Sequence, residues 1–148
     1  MDRLFKLQKK AIRIITGSKY NAHTEPLFKT LKTLKLTDIF RLSILKFYFK
    51  YKYSALPKFL LTINFETRSL VHGYNTRNKD TLDQQRTKTK TASKCLRHVT
   101  PITINSTDQN ILTKINTHSL QGYSWYIKKS FIDSYKFEYD VEHCYVCN

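Results

Sequence analysis

The chain has 148 residues, and 26 Lys and Arg against 11 Asp and Glu give it a formal net charge of +15. Because 41% of the residues are hydrophobic, the composition favours one folded domain with a core over a disordered chain. The positive charge and the 14% aromatic content together favour a polyanionic partner, which is RNA, DNA or an acidic membrane surface.

The first segment predicts an amphipathic helix over residues 2–15, ended by Gly17. Its apolar residues recur at helical spacing and are expected to face a core: Leu4, Leu7, Ala11, Ile12 and Ile15. The opposite side carries a basic stripe: Arg3, Lys6, Lys9, Lys10 and Arg13. This stripe has two interpretations, a solvated helix face or a row of phosphate contacts.

Two more helices are expected before residue 57. Thr24 is predicted to cap the second, whose inner face would carry Leu27, Phe28, Leu31 and Leu34. Thr37 or Asp38 is predicted to cap the third, residues 39–53, which is apolar on most sides and ends before Pro57. Short links between the three helices favour a small bundle with the third helix at its centre.

The composition changes in residues 66–98, where eight Lys and Arg stand against three acidic residues. This stretch has almost no apolar periodicity, so a long basic loop or linker is expected. Arg77, Lys88 and Lys90 are its candidate nucleic-acid contacts. Thr and Lys alternate in residues 86–91, which fits either a strand along a phosphate backbone or a solvated linker.

Regular structure is expected to return in the last third of the chain. Residues 99–104 form a short β-prone run, and residues 108–115 predict a short helix capped by Ser106 or Thr107.

A final helix is predicted after a cap at Asn116 or Thr117. Its core-facing stripe is Leu120, Tyr123, Ile127 and Phe131. Trp125 lies off that stripe, so it is a second contact surface, a base-stacking platform or an incidentally exposed residue.

These elements predict a mainly α protein. A helical bundle would occupy residues 1–65, a basic polar linker 66–98, a C-terminal helical segment 99–140 and a Cys-containing tail 141–148. The apolar run at residues 59–65 is too short to span a membrane, and Lys6, Lys9 and Lys10 interrupt any signal-peptide core. An intracellular protein with reduced thiols is therefore expected.

Motifs for catalysis are missing from the sequence. No two acidic residues are adjacent, so there is no carboxylate pair of the kind that holds two metal ions in polymerases. The three Gly residues stand apart, so there is no phosphate-binding Gly-rich loop. No catalytic residue is assigned.

One element resembles part of a metal site. Cys144 and Cys147 have a spacing that suits zinc, but zinc needs four ligands. His143 could join only with strained geometry, and Cys95 is distant in sequence. Free thiols are the favoured interpretation, and no cofactor is expected.

Two stretches, LQKKAIRIITG at residues 7–17 and YNAHTEPLF at residues 20–28, resemble non-LTR retrotransposon reverse transcriptases. The similarity is to the region after the polymerase palm in jockey-like LINE-type elements. It continues through residues 34–36, 47–50 and 72–77 and covers nearly the whole chain.

The resemblance implies a parent enzyme that copies RNA into DNA at a chromosomal target, which would place it in the nucleus. This chain lacks the palm and its paired Asp, so no activity is expected from it alone, and Mg²⁺ would belong to the missing palm. A thumb-like helical region of this kind is expected to help hold the template and primer, packed on the palm.

Two other functions stay open. An inert remnant of a transposable element would use its basic residues only for solvation and would expose the apolar surface that the palm once covered. A basic helix lying on an anionic membrane is less favoured, because the third helix is extensively apolar.

Overall fold

A computed structural model describes residues 2–71 and 77–136. This part of the chain is mainly α-helical, as the sequence predicts. Its eight α-helices are α1 (Asp2–Ile15), α2 (Thr24–Thr30), α3 (Leu36–Lys52), α4 (Lys58–Leu61), α5 (Arg68–Val71), α6 (Leu96–Asn105), α7 (Gln109–Thr113) and α8 (Leu120–Asp133). Throughout the described ranges, every helix is too short or too polar to cross a lipid bilayer.

The chain divides into two compact units. The first contains residues 1–40 and 125–148, and the second contains residues 41–124. The division falls inside α3 and inside α8, so each of these two helices contributes residues to both units.

The end of α1 confirms the predicted role of Gly17. Gly17 adopts a left-handed conformation with φ of 61°. Its N–H donates to the carbonyl of Ile14 at 3.2 Å, and the N–H of Ser18 donates to the carbonyl of Arg13 at 3.0 Å. These bonds form a Schellman motif, which satisfies carbonyls that the end of the helix would otherwise leave unpaired.

The predicted core-facing side of α1 is wrong. Of the expected apolar stripe only Ile12 is buried, at 4% exposure. The other side chains of that stripe, together with Ile14, face solvent: Leu4, Leu7, Ala11 and Ile15. The helix is turned so that Phe5, Gln8 and Ile12 face inward, because Phe5 stacks on the buried ring of Phe28 at 6.4 Å.

The core of the first unit is small and aromatic. Ile12, Phe28 and Tyr135 are its buried residues, with Phe5, Leu27 and Ile132 packed around them. Leu34 is buried as predicted, whereas Leu31 is exposed because α2 ends at Thr30.

The polar side chains of Gln8 and Tyr135 fix the connection between α2 and α3. The side-chain amide of Gln8 donates to the carbonyl of Leu34 and accepts from the N–H of Leu36, both at 2.9 Å. The hydroxyl of Tyr135 donates to Asp38 Oδ2 at 2.6 Å and accepts from the N–H of Lys35 at 3.1 Å. Burial, and the hydrogen bond to Asp38, raise the pKa of Tyr135.

The caps of α2 and α3 differ from the predicted ones. α2 begins at Thr24, so the cap is His23, whose side chain makes no capping hydrogen bond. α3 begins three residues earlier than expected, and the carbonyl of Lys35 accepts from the N–H groups of Asp38 and Ile39. Ser54, with φ of 52°, ends α3 through a second Schellman arrangement, well before Pro57.

α3 is less buried than its composition predicts. Ile39 and Phe40 at its start are exposed, while the side chains that form its inner face are buried: Ile44, Leu45, Tyr48 and Phe49. In the second unit, Phe49 stacks on Tyr123 at 5.3 Å. The Tyr123 side chain is fully buried, and its hydroxyl makes no hydrogen bond within the described residues.

The basic segment 66–98 is partly ordered, by a contact within it and by contacts with Asn105. Thr67 and Leu82 form an isolated antiparallel bridge, and Leu82 is buried. The side-chain amide of Asn105 donates to the carbonyl of Leu82 at 2.8 Å and accepts from its N–H at 2.9 Å. Residues 83–91 have no regular secondary structure.

The predicted β-prone run at residues 99–104 is wrong, because it lies inside α6. Four residues of α6 are buried at helical spacing: Thr100, Pro101, Thr103 and Ile104. Packing of this face outweighs the weak strand preference of the β-branched residues. Pro101 removes one helical donor and is nevertheless accommodated.

The last two helices form as expected, with different caps. α7 is capped by Asp108, whose Oδ1 accepts from the N–H of Asn110 at 3.0 Å, and not by Ser106 or Thr107. α8 begins after Ser119, whose carbonyl accepts from the N–H of Tyr123 at 2.8 Å, and not after Asn116 or Thr117. Of the predicted stripe of α8, Tyr123 and Ile127 are fully buried, and Leu120 and Phe131 are partly buried.

Candidate nucleic-acid interface

A shallow depression of about 530 Å³ runs along α1 in the first unit. Its lining combines five cationic side chains with one aliphatic and one aromatic residue: Arg3, Lys6, Lys9, Lys10, Arg13, Leu7 and Tyr20. We call this surface the basic groove. The structure therefore places four of the predicted site residues together, since Lys6, Lys9, Lys10 and Arg13 repeat along one side of the helix.

The turn after α1 completes the groove. Arg13 Nε donates to the carbonyl of Ala22 at 2.9 Å, which holds the turn against the end of the helix. The N–H of Ala22 donates to the carbonyl of Lys19 at 3.0 Å, and this closes a tight turn with Tyr20 at its corner. The Tyr20 side chain is 88% exposed, so its ring and hydroxyl are available to a ligand.

The five cations are not equivalent. Arg13 is partly committed to Ala22, and the Lys9 ammonium lies 4.6 Å from the centroid of the Phe5 ring. Arg3, Lys6 and Lys10 are exposed, and within the described residues none of them pairs with a carboxylate. Their charge is therefore available to an external anion.

This arrangement suits phosphates. Lys presents a compact charge with three donors, and Arg presents a planar fork that can bind two phosphate oxygens at once. Contacts of such cations with phosphates carry no sequence information.

The remaining predicted site residues lie in the second unit. Arg77 borders another depression there, together with Tyr48 and Asn105. Lys88 and Lys90 are exposed side chains of the irregular segment 83–91. Tyr20 is not among the residues that the sequence predicts to bind, and nothing in the local sequence distinguishes it from the other nine Tyr residues.

A metal role is not supported by the described residues. Within residues 2–71 and 77–136, no three His, Cys, Asp or Glu side chains are grouped to hold an ion. Cys95 is a free, exposed thiol whose Sγ contacts the carbonyl of Ala92 at 2.8 Å. Cys144 and Cys147 lie outside the described residues, as does His143.

An apolar strip lies beside the basic groove on the solvent side of α1. It consists of Leu4, Leu7, Ile14 and Ile15, which are between 62% and 70% exposed. Contiguous apolar surface of this kind on a folded protein usually marks a contact with another molecule.

Comparison of the chain with protein-family models, with curated proteins and with solved structures finds no significant match.

Proposed function

We propose that this chain is a nucleic-acid-binding module, corresponding to the region after the palm of a non-LTR retrotransposon reverse transcriptase. Its task would be to hold template and primer through their phosphates, without chemistry of its own. The resemblance of residues 7–17 and 20–28 supports the family, and most of the first stretch belongs to the helix that carries the basic groove. A role at a chromosomal target would place the protein in the nucleus.

The observation that carries this proposal is the set of groove cations that pair with no carboxylate in the described part of the chain. Arg3, Lys6 and Lys10 are exposed along one helix, beside Lys9 and Arg13. When such cations bind phosphates, the counterions condensed on the nucleic acid are released into solution, so binding would depend strongly on salt concentration. RNA and DNA both offer this backbone, and both are proposed partners.

The test is equilibrium binding of labelled RNA and DNA by the wild type and by two variants of equal net charge. One variant replaces Arg3, Lys6 and Lys10 by Ala. These residues are chosen because Arg13 and Lys9 also make contacts within the protein. The control variant replaces three exposed lysines of the second unit by Ala: Lys50, Lys58 and Lys94.

We expect the groove variant to bind at least about tenfold more weakly at moderate salt, and the control variant to lose much less. Equal losses would show that binding reflects net charge and not the groove. Unchanged affinity in both variants would reject the groove as the binding surface.

A second candidate function rests on the apolar strip. In this proposal the strip packs on the rest of a larger polymerase, and the chain on its own is an inert remnant. Exposed apolar residues such as Leu7 and Ile14 promote self-association when their partner is missing. Concentration-dependent association without nucleic-acid binding would favour this alternative, and monodispersity with tight polyanion binding would favour the first.

A further inference from the structure

The exposed side of α8 carries an aromatic residue that the core does not use. Trp125 is 63% exposed, although Ile127, two residues later on the same helix, is fully buried. A buried anchor so close in sequence fixes the helix backbone beneath the indole, which therefore projects from a rigid element. This tryptophan is the single one in the chain.

Two lysines flank the indole on that side of α8. Lys129 lies one turn further along the helix, and its ammonium is 5.3 Å from the centroid of the indole ring. Lys128 is exposed beside it. The acidic residue within reach along the helix, Asp133, makes no ion pair with Lys129. Within residues 2–71 and 77–136, therefore, no carboxylate pairs with the positive charge that borders the indole.

From these contacts we infer that Trp125, Lys128 and Lys129 form a base-stacking site for single-stranded nucleic acid. An unpaired base would stack on the face of the indole that Lys129 leaves open, and the two ammonium groups would contact the adjacent phosphates. In a duplex the bases stack on each other and only their edges are accessible, so a duplex cannot use this site. The inference rests on the proposed nucleic-acid function and adds a preference for unpaired strands.

A membrane surface is the competing ligand, because tryptophan flanked by lysine also occurs at lipid interfaces. The surroundings of Trp125 favour the nucleic acid. Its exposed neighbours on α8 are polar, namely Gln121, Lys128 and Lys129, so this helix does not present the wide apolar face with which an interfacial helix enters the acyl chains.

The single tryptophan gives a direct measurement. Its fluorescence, excited where tyrosine does not absorb, is followed while the full-length protein is titrated with oligothymidylate, with a DNA duplex, and with vesicles of phosphatidylcholine and phosphatidylglycerol. Stacking predicts quenching by oligothymidylate and little change with the duplex. A blue shift with the vesicles and no quenching by oligothymidylate would overturn the inference in favour of a membrane contact.

Affinities of labelled oligonucleotides complete the test. Trp125→Ala should weaken single-strand binding roughly 5- to 150-fold, the range typical of base–aromatic stacking, and leave duplex binding unchanged. Trp125→Phe should restore part of the loss, and Phe59→Ala, at another exposed aromatic residue, should have no effect.

The two proposals fail in different ways. Unchanged single-strand affinity in Trp125→Ala, with duplex binding still dependent on the basic groove, would reject the stacking site alone. Absence of binding to either nucleic acid would reject both the site and the proposed function.

Discussion

The same substitution at two buried tyrosines should change the free energy of unfolding of this protein in opposite directions. The hydroxyl of Tyr135 donates to the buried carboxylate of Asp38 at 2.6 Å and accepts from the N–H of Lys35 at 3.1 Å. The hydroxyl of Tyr123 is equally buried and makes no hydrogen bond within the described residues. Replacing either residue by Phe removes one oxygen atom and keeps the ring.

The expected magnitudes follow from these partners. A hydrogen bond to a charged group contributes about 1.5–3 kcal/mol, and the Lys35 amide loses its acceptor as well. Tyr135→Phe should therefore lower the free energy of unfolding by about 2–4 kcal/mol. An unpaired buried hydroxyl costs about 1–3 kcal/mol, so Tyr123→Phe should raise the free energy of unfolding by about 1 kcal/mol.

Urea denaturation followed by circular dichroism measures both changes. The midpoint should fall in Tyr135→Phe and rise in Tyr123→Phe, with the same dependence on urea concentration in both. Melting temperatures should move in the same directions, by about 2–4 °C for each kcal/mol in a protein of this size. A stability loss of equal size in both variants would refute the reasoning, since it would mean that the hydroxyl partners do not decide the effect.

Further changes test the backbone, the ordered part of the basic segment and the buried tyrosines. Ser54→Gly should stabilise the protein by about 0.5–1 kcal/mol, because the left-handed conformation costs a non-glycine residue about 1–2 kcal/mol, and the greater entropy of glycine in the unfolded chain offsets part of the gain. Gly17→Ala should destabilise the protein by a similar amount in thermal melts. Asn105→Ala should cost about 2 kcal/mol and speed amide exchange at Leu82, whose N–H and carbonyl both lose a partner; unchanged exchange would contradict this contact. Burial raises the pKa of three tyrosines, Tyr48, Tyr123 and Tyr135. The folded state therefore favours their neutral form, so their contribution to stability should be constant below about pH 10 and should be lost above it, by up to about 1.4 kcal/mol per pH unit for each residue. Denaturation at several alkaline pH values should show a shallower fall in Tyr123→Phe.

The parts of the fold that follow from local sequence could be predicted. Helical spacing and Gly17 give α1 its limits, and the stripe of Tyr123 and Ile127 identifies the buried side of α8. Each of these signals depends on residues within a few turns of one helix, where the backbone geometry fixes which side chains are neighbours.

The other features depend on contacts between residues far apart in sequence. The wide apolar side of α1 permits several orientations, and the stacking of Phe5 on Phe28 decides that Leu7 is exposed. The caps were mispredicted because Ser, Thr and Asp are frequent before each helix, so propensity alone does not select one of them. The bond between Asp38 and Tyr135 joins residues 97 positions apart, and no local pattern signals it.

The candidate site combines a feature that local sequence predicts with one that depends on distant contacts. The basic stripe on α1 is visible in the sequence, and its repeat places Lys6, Lys10 and Arg13 on one side of the helix. The contribution of Tyr20 depends on the turn that Arg13 holds through Ala22, which only the three-dimensional structure shows. The extra apolar strip likewise appears only once the buried side of α1 is known.

The salt dependence of binding tests the central proposal most directly. Each phosphate contact on a DNA duplex contributes about 0.9 to the slope of log affinity against log salt concentration. If Arg3, Lys6 and Lys10 each bind a phosphate, replacing all three by Ala should reduce the magnitude of that slope by about 2.7 relative to the wild type. A slope identical to that of the wild type would mean that the basic groove of α1 does not contact the nucleic acid.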